Sequence, residues 1–314
     1  MGVVEEFEEL RPLLFSIAYR ILGSAGEAED AVQETWLRYD ASATRPDSVK
    51  AFLSTTVTRI AIDVLRSARV RREAYPGPWL PEPLLGDPYQ DPARAAELAD
   101  SVSTAALLLL ERLGPRERSV LVLREVFGFG FDEIAPAVGR SEAACRQLLV
   151  RARRRIRDGE PRYEAGRHER RELADRFFEA LAHGDVDGLR RVLAADIRMV
   201  GDHGGNTPRL ARPVTGPDRL ARLLAAVYPL LAGLAVTRER HEINGLPGAI
   251  LRDRDGGVLQ TLALDGFGGR IRELYVVANP DKLRHLGPVA DAWALDREAR
   301  HLRGLRRSAA GTSS

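Results

Sequence analysis

Residues 140–157 hold seven arginines, Arg140, Arg146, Arg151, Arg153, Arg154, Arg155 and Arg157, against the single acid Glu142. Residues 64–72 add Arg66, Arg69, Arg71 and Arg72 with no acid. Fixed cations this dense suit a phosphate backbone as partner. Gln147 sits beside Arg146, and these two residue types make paired hydrogen bonds with adenine and guanine edges in a major groove. Arg154 and Arg155, further along, suit phosphates, which position a protein without specifying sequence. The positive charge is local, because the whole chain carries only +2. Of its 47 basic residues only Lys50 and Lys282 are lysines. So strong an arginine bias also fits genomic base composition, which does not by itself explain the clustering.

Acid–base chemistry has weaker candidates. Asp202, His203, His241 and Asp265 could supply a proton-transfer pair. No spacing forces any two together, and Asp or His beside glycine is ordinarily a turn former. Cys145 is the one cysteine of the chain, which excludes an internal disulfide framework and any multi-cysteine metal site. It reads as a small core residue. No catalytic residue, metal or cofactor is expected.

Phe131 to Leu148, at the head of the arginine cluster, reads as a helix-turn-helix, the alternative being an ordinary helical hairpin with a solvated basic face. Ile134 and Val138 face inward on its first helix, which Pro136 keeps short or irregular. Gly139 supplies the left-handed turn, and Ser141 is an N-cap for the second helix. On that second helix Cys145, Leu149, Ala152 and Ile156 form one apolar stripe, leaving Arg146, Gln147 and Arg151 off it. Upstream, residues 93–157 are otherwise helical, broken at Gly114-Pro115 and at Phe127 to Phe131.

Residues 3–75 also read as helices. Leu10, Leu13, Leu14, Ile17, Ala18 and Ile21 recur at helical spacing before the break Gly23 to Gly26. A second helix spans Glu27 to Tyr39, with Trp36 on its inner side. A third runs from about Lys50 to Arg72 with Phe52, Leu53, Val57, Ile60, Ala61, Val64 and Leu65 inside. Six prolines between Pro76 and Pro92 then impose an extended linker. Trp79, Leu80, Leu84 and Leu85 within it are apolar area that a solvated spacer does not need. After Gly159-Glu160-Pro161 two helices span 168–195, joined at His183-Gly184-Asp185. Strands follow at about 234–243, 249–254, 258–265 and 270–278, with turns at Asn244-Gly245, Asp255-Gly256-Gly257 and Gly266 to Gly269. Helices followed by an antiparallel meander predict an α+β domain. The tail from Pro288 holds one more helix and an irregular end, Ser308 to Ser314.

At 314 residues, 44% hydrophobic and 29% charged, the chain is long enough for two or three domains. No apolar run approaches the ~20 residues of a spanning helix. The N-terminus opens on Glu5, Glu6, Glu8 and Glu9 rather than on a basic segment followed by an apolar one, which argues against a secretory signal. A soluble cytoplasmic protein is expected.

Several of these stretches together resemble bacterial sigma factors of the extracytoplasmic-function (ECF) group. Asp30-Ala31-Val32-Gln33-Glu34-Thr35-Trp36-Leu37-Arg38 resembles the helix of sigma region 2 that docks on the core RNA polymerase clamp, which implies Asp30, Gln33 and Glu34 as polymerase contacts. Lys50 to Leu53 with Arg59 to Arg66 resembles the part that melts and reads the −10 element, implying roles there for Ser48, Lys50, Arg59, Arg66 and Arg69. The stretch Leu113 to Arg118 with the helix-turn-helix resembles region 4, implying −35 contacts by Arg140, Ser141, Arg146, Gln147, Arg151, Arg154 and Arg155. Asp63 in the −10 helix reads as a structural hydrogen-bonding group.

The remainder resembles the subgroup with a fused SnoaL-like C-terminal domain, the SigJ-like group. Its linker signature is matched by Trp79-Leu80-Pro81-Glu82-Pro83 and its C-terminal signature by Asn279-Pro280-Asp281-Lys282-Leu283. A third signature, Asp-Gly-Gly-Gly-Lys, is matched in part by Asp202-His203-Gly204-Gly205-Asn206, from which His203 and Asn206 depart. The resemblance implies two all-α sigma domains and an α+β SnoaL-like cone. The domains would be region 2 at 1–75, linker at 76–92, region 4 at 93–160, cone at 165–287, and helix and tail at 288–314. It also implies core RNA polymerase and promoter DNA as partners, no membrane, and intramolecular control by the cone domain. A small ligand in that domain is an open expectation. The competing readings are a ligand-sensing regulator that binds DNA alone and a SnoaL-like enzyme fused to a DNA-binding module. A DNA-only regulator has no use for the segment Asp30 to Arg38.

Overall fold

The structure is a computed structural model describing residues 2–42, 44–89, 91, 101–157, 167–205 and 213–311, without the side chains of 69–71, 73, 157, 167 and 302–311. Two compact units divide the chain. One comprises Met1–Ala74 with Leu84–Pro161, the other Tyr75–Pro83 with Arg162–Ser314. The proline-rich linker is thus shared, its first nine residues belonging to the C-terminal unit.

In the helical unit, α1 (Val3–Leu22), α2 (Ala25–Asp40) and α3 (Val49–Glu73) pack on one another. Gly23 ends α1 in the left-handed region at φ 71°, and the Ser24 hydroxyl caps α2 by accepting from the Glu27 amide at 3.1 Å. Ser48 caps α3 in the same way, accepting from Ala51 at 3.3 Å. Trp36 lies against the core, its ring 5.0 Å from that of Phe7. The second half of the unit is α4 (Thr104–Leu110), α5 (Pro115–Leu121) continuing as a π-helical turn through Val126, α6 (Phe131–Val138) and α7 (Glu142–Arg157). Both halves share one apolar core, in which Leu14, Ile17 and Leu53 join Leu107, Val120 and Ile134.

Charges also bridge the two halves. Arg20 is fully buried and donates to Asp87 at 2.6 Å and to Ser101 at 2.8 Å. Arg118, also buried, pairs with Glu111 and donates to the Arg20 carbonyl at 2.9 Å, while Arg72 reaches Glu111 at 2.7 Å. Burial alone would raise the Glu111 pKa, but Arg118 and Arg72 hold it below the usual carboxylate value.

The C-terminal unit contains α8 (Arg167–His183), α9 (Val186–Val192), β1 (Leu193–Asp202), β2 (Val214–Thr215), α10 (Pro217–Gly233), β3 (Thr237–Ile243), β4 (Leu246–Arg252), β5 (Val258–Phe267), β6 (Arg270–Val277) and α11 (Ala292–Gly311). The strand order is β2-β1-β6-β5-β4-β3. Asn244 and Gly245 both take positive φ, 50° and 69°, which gives the tight β3–β4 hairpin that Asn-Gly predicts. Helices α8, α9 and α10 cover one face of the sheet through Phe177, Phe178, Leu189 and Leu220.

The observed fold class, all-α regions plus an α+β domain, is the expected one, with three corrections. The sheet is mixed rather than a pure antiparallel meander, because β1 runs parallel to β6. Neither β1 nor α10 is anticipated as an element. In β1 a register shift between Leu193 and Arg198 spoils the two-residue alternation. In α10 the internal Pro229 interrupts an otherwise helical pattern. The expected irregular end at 308 also gives way to α11, which reaches Gly311.

Candidate functional site: a nucleic-acid interface and a buried clamp

Gly139 closes α6 in the left-handed conformation, φ 63°, so α7 can start at once after a short turn. The Ser141 hydroxyl accepts from the Ala144 amide at 3.3 Å. Cys145, Leu149 and Ala152 are buried as the stripe requires, and burial pushes the Cys145 thiol pKa up, as for a core residue. The opposite face of α7 presents Arg146, Gln147, Val150, Arg151 and Arg154 to solvent, with Arg140 and Ser141 exposed just before it. Arg146 is 2.7 Å from Glu142 and its guanidinium lies 5.0 Å from the Phe131 ring centre. Arg155 turns the other way and pairs with Glu117 on α5, with Arg151 at 3.7 Å from the same carboxylate. Arg153 pairs with Glu125 at 2.6 Å. The face free to meet a groove is therefore narrower than the arginine count suggests.

Along α3, Ser48, Lys50, Arg59 and Arg66 are all exposed. Arg66 pairs with Asp63 at 3.0 Å, so Asp63 makes a local ion pair at the surface. The Arg59 guanidinium donates to the Pro136 carbonyl of α6 at 2.8 Å, and Lys50 lies 5.7 Å from the Phe129 ring centre. Residues expected to meet promoter DNA thus touch the helix-turn-helix half of the same unit. The Arg69 side chain lies outside the described residues. On α2, Asp30 and Gln33 are exposed and Glu34 pairs with Arg38 at 2.9 Å, beside an exposed Leu37.

In the C-terminal unit, three sequence signatures far apart in the chain meet around one carboxylate. Asp202 ends β1 and is fully buried. Its Oδ2 accepts from the Leu80 amide at 2.8 Å and from Lys282 Nζ at 2.6 Å. Its Oδ1 accepts from the Tyr75 hydroxyl and from the Gly204 amide at 3.2 Å. Lys282 also donates to the Leu80 carbonyl and lies 4.1 Å from the Trp79 ring centre. Asn279 donates to the Tyr75 oxygen at 2.7 Å and caps the short turn Pro280–Lys282 by accepting from the Asp281 amide. Burial, and then the bond to Asp202, drives the Tyr75 phenol pKa far up.

Gly204 and Gly205 have positive φ, 59° and 77°. A Cβ would fall 2.5 Å from Asn279 on the first and 2.8 Å from Pro76 on the second. Gly205 must be glycine for the linker to lie this close, and Gly204 for Asn279 to do so. Leu80, Pro81, Pro83 and Leu283 are buried, Glu82 is half-buried, and Asp281 points outward to Arg284 at 2.6 Å. His285 completes the arrangement, its Nε2 2.6 Å from the Pro83 carbonyl. Sequence reasoning missed His285 and Tyr75, which flank the matched signatures without belonging to them. Asn206 lies outside the described residues.

The four acid–base candidates do not converge. His241 is on β3, separated by β6, β5 and β4 from β1, which ends at Asp202 just before His203. Both oxygens of Asp202 are taken by the clamp. Among the described residues no group of three or more His, Cys, Asp or Glu could hold a metal, and no helix is long and apolar enough to cross a membrane.

With this geometry in hand, comparison with known proteins is informative. Residues 7–71 match the sigma-70 region 2 family and residues 103–156 the sigma-70 region 4 family. The chain is 38% identical to the ECF RNA polymerase sigma factor SigJ of Mycobacterium tuberculosis, over 89% of this chain and 92% of that one. It is 32% identical to the probable ECF sigma factor SigI of the same species, over 87% and 92%. The crystal structure of M. tuberculosis SigJ aligns with a TM-score of 0.69 at 34% identity, covering 90% of this chain and 98% of that one. The likeness extends through the linker and the α+β domain as well as the two helical regions, and the chain belongs to the ECF RNA polymerase sigma factors.

Proposed function

We propose that this chain directs core RNA polymerase to promoters with two recognition elements, and that its C-terminal domain regulates that activity through the linker. The observation that carries the reading is the pairing, in one chain, of region 2 and region 4 sequences with a solvent-facing row of Arg146, Gln147, Arg151 and Arg154 on α7. Arg146 and Gln147 would read base edges of the −35 element, with Arg140, Ser141, Arg151 and Arg154 on flanking phosphates. Arg155, held by Glu117, would orient α7 and touch DNA little. Ser48, Lys50, Arg59, Arg66 and Arg69 would engage the −10 element, where melting requires bases drawn out of the stack. Asp30, Gln33 and Glu34 would face the polymerase. The Arg59–Pro136 contact must open for this, so the packed helical unit is a resting form.

Regulation is supported by the clamp. Its nine linker residues belong to the C-terminal unit, while the chain on either side belongs to the helical one. Whatever loosens or tightens Asp202 therefore changes the tether between the two sigma regions. The functional division of the chain would be region 2 at 1–75, linker at 76–92, region 4 at 93–160, cone at 165–287 and a C-terminal helix and tail at 288–314, with the linker shared between the two compact units. The cone acts as a binding and control module without catalysis, supported by the occupation of Asp202 and the dispersal of the other acid–base candidates. A chain that acts with RNA polymerase would act in the cytoplasm.

Run-off transcription with core polymerase on a genomic promoter set tests the reading. Specific starts above core alone are expected, and their absence overturns it. Isolation of polymerase with this chain bound separates it from a regulator that acts on DNA alone.

A further inference from the structure

The C-terminal unit contains a half-open cavity of about 530 Å³ lined by α10, the sheet and α11. That volume suits a drug-sized molecule. Leu224, Tyr228 and Leu231 of α10 form one wall, and Leu259 and Leu262 of β5 with Met199 of β1 form the facing one. Trp293, Leu295 and Ala299 of α11 complete the lining. Sheet-facing positions are normally filled from the helix layer, yet Leu224, Leu231 and Leu259 remain only partly buried around this space. The polar groups of the lining are few, and the charged ones already have partners. Arg238 donates to the Phe178 carbonyl at 3.1 Å and lies over the rings of Phe178 and Tyr228. Asp296 accepts from Arg300 at 2.8 Å.

His203 is different. It lines the same cavity, and among the described residues neither of its buried ring nitrogens has a hydrogen-bond partner. Buried polar atoms are ordinarily satisfied, so such a ring calls for an explanation. Burial pushes its pKa down, against the pull of neighbouring Asp202, so the ring stays neutral at neutral pH. Gly201 leaves the space the ring occupies, since a Cβ there would fall 2.5 Å from Nε2. His203 is also one of the two positions at which this chain departs from the glycine-rich signature of the subgroup. It thus adds a hydrogen-bonding group to an aliphatic wall.

We propose that this cavity binds a neutral, lipophilic small molecule carrying a hydrogen-bonding group that pairs with His203, and that occupancy is transmitted to the linker clamp. A charged ligand would find no unpaired counter-charge, whereas an apolar body gains from burial against leucines. The transmission follows from shared elements. Met199 and His203 in the wall flank Asp202 in the clamp, and Ala278, also in the wall, donates its amide to the Asp202 carbonyl at 2.8 Å. Filling the cavity presses on both sides of the residue that holds Leu80 and Lys282. Binding itself stands apart from the promoter-directing role, and only its regulatory consequence rests on that reading.

The probe is N-phenyl-1-naphthylamine, a neutral fluorophore with one N–H donor, titrated into the purified full-length chain. A saturable one-site rise in emission is expected, with energy transfer from tryptophan that Trp293→Phe reduces. Leu259→Trp and Leu224→Trp, filling the space from opposite walls, should each weaken binding at least tenfold. Where one of them unfolds by circular dichroism, the other decides. His203→Leu should weaken binding about fivefold without changing the fold. Hydrogen exchange at the Leu80 amide should change at least threefold on saturation. A non-saturable signal overturns the site, as does unchanged affinity in a folded wall variant. Unchanged Leu80 exchange at saturation overturns the coupling. No DNA or polymerase enters these measurements, so their failure is distinguishable from a failure of run-off transcription.

Discussion

The basic face of α7 and the clamp around Asp202 use charge in opposite ways. On α7, Arg146, Arg151, Arg153, Arg154 and Arg155 stand in water, each with at most one or two carboxylate neighbours among the described residues, and their value lies in what arrives from outside. At the clamp, one buried carboxylate accepts from Tyr75, Leu80, Gly204 and Lys282, so its value lies in what it holds in place. Exposed ion pairs contribute little to stability because water screens them, whereas breaking a buried pair leaves a charge with no compensation. The recognition surface can therefore vary residue by residue without unfolding, while the clamp stands or falls as a unit.

The sharpest way to break this contrast is Asp202→Ala. It strands Lys282, buried beneath Trp79, and should lower the stability of the C-terminal unit by about 3–5 kcal/mol. Calorimetry of the full chain should show one of its transitions displaced, and limited proteolysis should open within residues 75–83. If Asp202→Ala melts like the parent, the clamp is not the organising contact.

A smaller effect is expected at the buried charges of the helical unit. Glu111→Gln leaves Arg118 and Arg72 uncompensated, but partial solvent access to Glu111 reduces the cost to about 2 kcal/mol. The pH dependence has a definite sign. The folded-state pKa of Glu111 lies below its unfolded value. Its contribution is therefore complete above the ordinary glutamate pKa and is lost as pH falls through the folded-state value. Thermal melts down a pH series should show this acid loss in the parent and a shallower one in Glu111→Gln.

On α7 stability should hardly move while specificity does. Arg146→Ala and Gln147→Ala should each cost about 1–3 kcal/mol of discrimination between matched and mismatched −35 sites. Arg154→Ala should weaken all sites alike and reduce the salt slope by about one. Equal losses on matched and mismatched DNA for all three variants would sink the assignment. Trp79→Ala sharpens the comparison from the other side. Losing its contact with Lys282 should cost about 0.5–2 kcal/mol. Promoter-dependent run-off should change while DNA binding by an α7-containing fragment does not.

How much of this was legible in advance depends on the range of the interactions involved. The helix-turn-helix and its exposed face follow from neighbours three and four residues apart, with Gly139 and Ser141 marking the turn, and these were readable directly. The Asn244-Gly245 hairpin was readable for the same reason. Strand β1 was not, since its pairing with β6 spans more than seventy residues and its alternation is interrupted. The clamp was half legible. Its signatures could be recognised, and the apolar Trp79 and Leu80 among prolines announced docking, but Tyr75 and His285 carry no local signal.

By itself the sequence determined that two helical regions with sigma-type motifs stand in order, which residues of α7 face water, and that the linker is extended. Side-chain periodicity, proline stereochemistry and glycine turns act within a few residues, so they survive in a one-dimensional reading. Only the tertiary structure decided that Arg155 serves Glu117 and that Arg59 meets Pro136. It alone brought Lys282 to the Asp202 carboxylate, eighty residues back along the chain, and enclosed His203 against an apolar cavity. Those outcomes depend on which distant segments the fold packs together and, for Asp202 and Lys282, on a low-dielectric interior where a charge must find its partner wherever the fold brings one.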